Sequence, residues 1–316
     1  MRNAAKKFAS PYAFAIACIF LTSAIWGASF VTQRLAMEHM GAFTYNSIRF
    51  ALGAVSLLPA IKLLEKRLVP EKNNPPAGKL TLKAGLAGGG ILFIAANLQQ
   101  FGIALSNSPS SASEAGFITG MYTIFVPILG LVLGRKPRPL IWLCAALAFA
   151  GLALISIGPG GISSFQLTDT LLMLCAVFWA AHIMLIDRYV NYIRPLSFSA
   201  TQFAVCAVLC LVCALVFEEI TVQGLRDGLP VLLFGGIVAS GVAYSLQIIG
   251  QRKVEPSRAA IIFSLESLFA ALSEVVFLGV LMTPQKYLGG AMIFAGIVLS
   301  QRQRGEKPSE EIDQTK

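Results

Sequence analysis

Charge is what this sequence lacks most. Only 13% of its 316 residues are Asp, Glu, Lys or Arg, about half the share of a soluble domain, while 56% are hydrophobic. Such a chain cannot cover its own surface with polar groups, and a soluble globular fold is excluded. The sequence also lacks G-x-x-x-x-G-K-[ST], H-E-x-x-H and G-x-S-x-G. ATP-driven work, zincin chemistry and hydrolase chemistry are thereby without their residues. Cysteine is limited to Cys18, Cys144, Cys175, Cys206, Cys210 and Cys213, all inside apolar runs, where they behave as small hydrophobes and imply no disulfide framework. Cys210-Leu-Val-Cys213 matches C-x-x-C but lies mid-helix with no redox fold around it. No cofactor and no metal site is expected.

What is present is one apolar stretch after another, each of about 20 residues and long enough to cross about 30 Å of hydrocarbon as a helix. Loop signals divide them into ten predicted transmembrane helices at 11–32, 42–64, 82–105, 111–133, 139–157, 167–187, 197–216, 229–251, 257–281 and 285–301. The first stretch follows Arg2, Lys6 and Lys7 as a signal peptide would, but its length and its many sister segments favour a retained helix. The net charge of +9 reads as a topology signal, not as nucleic-acid affinity. With the N-terminus in the cytoplasm, inside segments hold 21 Lys and Arg, and outside loops hold only Arg34, Arg226 and Lys286. That sorting predicts an even number of spans with both termini cytoplasmic. The longest linker is 65–79, and residues 302–316 read as a disordered cytoplasmic tail.

The chain also resembles itself. Trp26 aligns with Trp179 and, at the same offset, Arg49-Phe50-Ala51-Leu52-Gly53-Ala54-Val55 with Gln202-Phe203-Ala204-Val205-Cys206-Ala207-Val208. Asn97 and Gln100 match Tyr244 and Gln247, and Phe149-Ala150-Gly151 matches Phe294-Ala295-Gly296. Two repeats of five helices follow, 11–157 and 167–301. An odd number of spans per repeat inverts the second half relative to the first. A pair of inverted halves can offer a central site to either side of a membrane by exchanging conformations.

Trp26-Gly27-Ala28-Ser29-Phe30, Arg49-Phe50, Gln99-Gln100-Phe101-Gly102 and Ala115-Gly116-Phe117-Ile118, placed in helices one to four of such a repeat, resemble the EamA family of the drug/metabolite transporter superfamily. The resemblance runs over about 12–301 and implies export of small metabolites, often amino acids or related compounds, through a cavity between two bundles. The second half departs from the first, with His182 where the repeat has Ser29 and Gln202 where it has Arg49, so the two sides of the cavity are chemically unequal.

Polar groups inside membrane helices are costly and mark candidate sites. Helix 3 sets Asn97 and Gln100 on one face, and helix 8 repeats this with Tyr244 and Gln247. Helix 9 carries Glu266, Ser273 and Glu274 on one arc. Either carboxyl could exchange a proton against substrate, or could instead cap a neighbouring helix or pair with a base. Glu114 fits a capping box begun by Ser111 as well as it fits a substrate contact. Arg49 lies about 10 Å into helix 2 at ~1.5 Å per residue, where its stem could snorkel to the outer face or steady the repeat interface in a structural or gating role, with direct substrate contact as the alternative. Trp26 and Trp179 would wall the cavity, with Ser29 and His182 one turn on, and Tyr122 joins them from helix 4.

These residues predict a multi-pass protein of the bacterial inner membrane, a secondary transporter exporting small metabolites by alternating access and possessing no enzyme activity. Its partners are a small-molecule metabolite and the lipid bilayer, with no nucleic acid, and the chain acts as a monomer or homodimer. The alternatives are import of an organic anion or sugar derivative and, more distantly, a membrane-embedded enzyme or lipid-handling protein.

Overall fold

Backbone polar groups in hydrocarbon must be satisfied within their own segment, so apolar runs of this length become helices. The structure, a computed structural model, describes residues 11–68, 78–106, 111–156, 166–279, 281 and 283–301. All regular elements among them are helical: α1 Pro11–Ala36, α2 Ala42–Leu68, α3 Gly78–Ala104, α4 Ser111–Thr119, α5 Tyr122–Val132, α6 Pro139–Ser156, α7 Leu167–Tyr189 and α8 Pro195–Phe217. There follow α9 Val222–Asp227, α10 Leu229–Leu233, a π-helical segment Phe234–Val242, α11 Ala243–Gln251, α12 Pro256–Phe263, α13 Leu265–Leu278 and α14 Pro284–Gln301. Proline opens α1, α6, α8, α12 and α14, where its missing N–H costs nothing. The tail 302–316 and most of the linker, 69–77, lie outside the described residues.

Eight units are long and apolar enough to cross a membrane: α1, α2, α3, α4 with α5, α7, α8, the run from α10 to α11, and α12 with α13. The fifth and tenth predicted spans are α6, which is shorter, and α14, whose first turn carries Gln285 and Lys286 and which is less apolar; these two helices pack along each other. Equivalent helices pair elsewhere too. α2 lies along α8, α1 packs on α11 and α13, and α7 packs on α3 and α5.

Two of the apolar runs are jointed. Between α4 and α5 the chain tightens, with Met121 N–H donating to Ile118 O at 3.1 Å and Thr123 N–H to Gly120 O at 3.0 Å. Between α12 and α13, Ser264 Oγ donates to Ile261 O at 2.6 Å, a back-bond that bends helices. Both jointed runs then end on a left-handed glycine, Gly134 (φ 78°) and Gly279 (φ 68°), a conformation a Cβ would oppose. These glycines are 145 residues apart, the offset that separates Phe149-Ala150-Gly151 from Phe294-Ala295-Gly296.

The α2–α8 pair is clamped at both ends. Glu218, just past α8, accepts from Phe43 N–H and Thr44 N–H at 2.8 Å and from Thr44 Oγ1 at 2.7 Å, capping the start of α2. Glu65, near the end of α2, accepts from Leu196 N–H at 3.0 Å, Ser197 N–H at 2.9 Å and Ser197 Oγ at 2.7 Å, capping the start of α8. Acceptor and donors are shifted by the same 153 residues that relate Trp26 to Trp179. A carboxylate at a helix N-terminus satisfies orphan N–H groups and complements the helix dipole.

The apolar interior forms two main clusters. One gathers Ile19, Val126, Leu152, Ile183 and Phe263, the other Phe50, Leu92, Phe203 and Cys206. Trp26 and Trp179 pack against both and so stand at the seam.

Candidate functional site

On α1, Trp26, Ser29, Phe30 and Gln33 fall three, four and seven residues apart and therefore share a face. That face borders a narrow cavity of about 40 Å³. Arg49 of α2, Gln99 of α3, Thr119 and Tyr122 at the α4–α5 joint, and Trp179 and Ile183 of α7 add further walls. Ala239 of the π segment, Tyr244 and Gln247 of α11, Phe263 at the end of α12 and Glu266 in the first turn of α13 complete the lining. About 40 Å³ holds a water or two and no metabolite, so a solute enters only when the walls part.

The aromatic wall is continuous. The Trp26 ring lies 4.8 Å from Tyr244, 5.5 Å from Phe263 and 6.3 Å from Trp179, centroid to centroid. Both indoles are anchored: Trp26 Nε1 donates to Ala239 O at 3.0 Å and Trp179 Nε1 to Gln99 Oε1 at 2.8 Å. From Gln99 a polar chain continues, with Nε2 donating to Gln33 Oε1 at 2.9 Å and Gln33 Nε2 donating to Ser29 Oγ at 3.2 Å. These bonds fix rotamers and leave apolar faces and amide edges toward the cavity.

Two ionisable groups line it. Glu266, 3% exposed, accepts from Tyr122 Oη at 2.9 Å and has no cation partner among the described residues. Arg49, 5% exposed, is likewise without a carboxylate partner there, and its Nε has no hydrogen-bond partner. Its Cζ lies 4.5 Å from the centroid of Phe50 and 5.1 Å from that of Tyr45. A central charge costs roughly 2.5–3.5 kcal/mol to insert, and a desolvated aromatic face returns about 2 kcal/mol. The rings shelve the cation without neutralising it. Glycines of the π segment let its backbone pack close against α2 here, since a Cβ at Gly236 would stand 2.9 Å from the backbone oxygen of Arg49.

Of the residues singled out in the sequence, Trp26, Ser29, Arg49, Tyr122, Trp179, Tyr244, Gln247 and Glu266 therefore meet at one cavity. The others lie elsewhere. Asn97 bonds Asn46 at 2.9 Å and Cys210 at 3.2 Å, toward α2 and α8. Gln100 donates to Gln33 O at 3.0 Å from behind the wall. His182 is closed on Gln202, with Nε2 and Oε1 2.8 Å apart. Glu114 stands in the first turn of α4 and Ser273 on α13 outside the lining. Glu274 accepts from Ser113 N–H at 3.0 Å and faces Lys286 Nζ at 3.8 Å, tying α13 to α4 and α14.

Sequence reasoning missed Phe30, Gln33, Gln99, Thr119, Ile183, Ala239 and Phe263. The heptad spacing of Gln33 from Trp26 carried the signal for α1. For α3 the repeat itself misled, because its counterpart contains the π segment. One extra residue in a helical turn rotates everything after it by about 100°, one residue's worth. Tyr244 and Gln247 face the cavity while their matches Asn97 and Gln100 do not, and Gln99, one residue away, does.

The model of the EamA-like transporter family matches residues 13–157 and again 166–301. An uncharacterized transporter of Archaeoglobus fulgidus is 28% identical over 280 residues, covering 88% of this chain and 83% of that one. The threonine/homoserine exporter RhtA of Escherichia coli K12 is 26% identical over 283 residues, 87% of each chain. One solved crystal structure superposes with a TM-score of 0.73 at 16% identity over 91% of this chain and 96% of the other, a likeness of fold.

Proposed function

The chain belongs to the EamA-like transporter family, and on that premise we propose that it is a secondary transporter exporting amino acids or related small metabolites across the inner membrane. One observation carries the reading: a cavity bordered by both halves is lined by two buried ionisable groups, Arg49 and Glu266, that no ion-pair partner among the described residues neutralises. Structural charges are paired, as Glu274 with Lys286 and Arg135 with Asp187 are, or capped by several donors, as Glu65 and Glu218 are. Groups left open onto a cavity serve a ligand or a proton. The name of the exporter RhtA supports amino acids as the class of solute.

In this reading α6 and α14 join the eight longer units as spans five and ten, both termini are cytoplasmic, and the halves 11–157 and 167–301 rock about the clamped α2–α8 pair. Helices that join at mid-depth, as α4–α5 and α12–α13 do, let each half bend where the cavity lies. Glu266 is the coupling group: it releases its proton to water in the cavity as solute binds and takes one up on release, while Tyr122 Oη donates to its carboxylate. Glu274, held by Ser113 and Lys286, is a positioning residue for α4.

Counterflow of labelled amino acids in proteoliposomes at two pH values tests this. Native protein should show flux above empty vesicles that changes with pH, and Glu266→Gln should lose flux or its pH dependence. Absence of native flux for a broad metabolite panel would overturn the proposal.

A further inference from the structure

The transport reading gives Glu266 a task and leaves Arg49 without one. The Arg49 guanidinium lines the cavity on shelves of Tyr45 and Phe50, nearly fully buried, with Nε unbonded and no carboxylate in ion-pair reach among the described residues. Its equivalent in the second half shows what a closed version looks like. Gln202 occupies the corresponding position and is bonded to His182. The first-half counterpart of His182 is Ser29, whose hydroxyl instead donates to Trp26 O at 2.7 Å and accepts from Gln33. The second half bonds its two polar side chains to each other, leaving only His182 Nδ1 and Gln202 Nε2 over, and the first half leaves Arg49 in the cavity lining with no such partner.

Resting on the transport reading, we infer that Arg49 receives the carboxylate of the transported solute and is its specificity-determining residue. A guanidinium offers parallel N–H donors that match a planar carboxylate two to two. Phosphate fits less well: Arg49 is the only basic residue of the described lining, and a dianion would face one cation with the Glu266 carboxyl on the same cavity. A solute that also bears an ammonium group meets Glu266, and its carbon skeleton meets the Trp26 and Trp179 rings. The transporter therefore accepts acids and rejects the same molecules with the acid masked.

Counterflow in proteoliposomes with a labelled amino acid against its methyl ester, its amide and its decarboxylated amine tests the assignment. Native protein should prefer the free acid by at least about tenfold, since a site built to bond one group rejects analogues lacking it. Arg49→Gln should bring that preference below about threefold, whereas Arg49→Lys should keep it at reduced flux, because the charge remains and the fork is lost. Monodispersity in detergent and tryptophan emission establish that each variant is folded; should Arg49→Gln not fold, the native panel and Arg49→Lys decide. Equal flux of acid and ester through the native chain would overturn the inference while leaving transport intact. A folded Arg49→Gln that slows all solutes alike with its preference unchanged would do the same and reduce Arg49 to a structural role. No native flux of any panel member would overturn the transport reading itself.

Discussion

Replacing Glu65 by Gln removes one end of the α2–α8 clamp while keeping the side chain's shape. The carboxylate accepts three hydrogen bonds, two from backbone N–H groups and one from Ser197 Oγ. Glutamine keeps one acceptor oxygen and turns an NH2 toward the remaining donors, so at least one backbone N–H loses its partner. Glu65 is 6% exposed, and water cannot readily replace the bond. Loss of a charge-assisted bond with a buried donor left over costs about 2 kcal/mol. At 2–4 °C per kcal/mol for chains of a few hundred residues, Tm should fall by about 5 °C. Glu218→Gln removes the same set of bonds from a half-exposed position, where solvent substitutes, and should cost about 1 kcal/mol or about 2 °C. The clamps are roughly 33 Å apart along α2 at ~1.5 Å per residue, so the double variant should show the sum of the two shifts. Five of the six cysteines are buried, and a thiol-reactive fluorophore therefore reports unfolding in detergent at a fixed scan rate. Shifts below about 1 °C for both variants, or a larger loss at Glu218 than at Glu65, would refute the clamp as an energetic feature.

Gly27→Ala would drive a Cβ into Phe269 Cβ and to 2.6 Å from Glu266 O, so α13 must shift. A loss of about 2 kcal/mol in stability together with reduced flux is expected from this overpacking, read by Tm and counterflow. Lys286→Met should destabilise by about 3 kcal/mol by stranding the Glu274 carboxylate, and adding Glu274→Gln should recover part of the lost Tm. No recovery in the double variant would mean that Lys286 acts through packing alone.

Segments and their order were legible because hydrocarbon length and backbone satisfaction leave few alternatives: an apolar run between polar turns becomes a helix. Their ends were less so, as α2 runs on to Leu68 and α3 already begins at Gly78, polar extensions that no membrane-length argument includes. The joints were hidden for a different reason. Gly120 and Ser264 are unremarkable within apolar runs, and only the tertiary contacts decide that the helix bends there. Glu266 and the tryptophans could be named because a carboxyl or an indole in such a segment is conspicuous. Gln99 could not be told from Gln100 without the phase of α3, which an alignment to a π-containing partner misstates. His182 was conspicuous as an ionisable group yet finds its partner in Gln202, a contact between α7 and α8 that composition does not reveal.

The two glutamate clamps form an isologous contact folded into one chain: residue i meets residue j at one end, and their counterparts meet with the roles exchanged at the other. A half-length chain carrying a single such glutamate would close both ends of an antiparallel homodimer, one copy inserted each way up. In the joined chain the frame keeps this duplicated chemistry, with Glu65 matched by Glu218 and Gly134 by Gly279. The cavity does not keep it: Arg49 is answered by Gln202, Ser29 by His182 and, at the offset of the paired glycines, Glu266 by Met121. Linking the halves freed them to differ, and they differ at the cavity, where the proposed transport places an asymmetric solute.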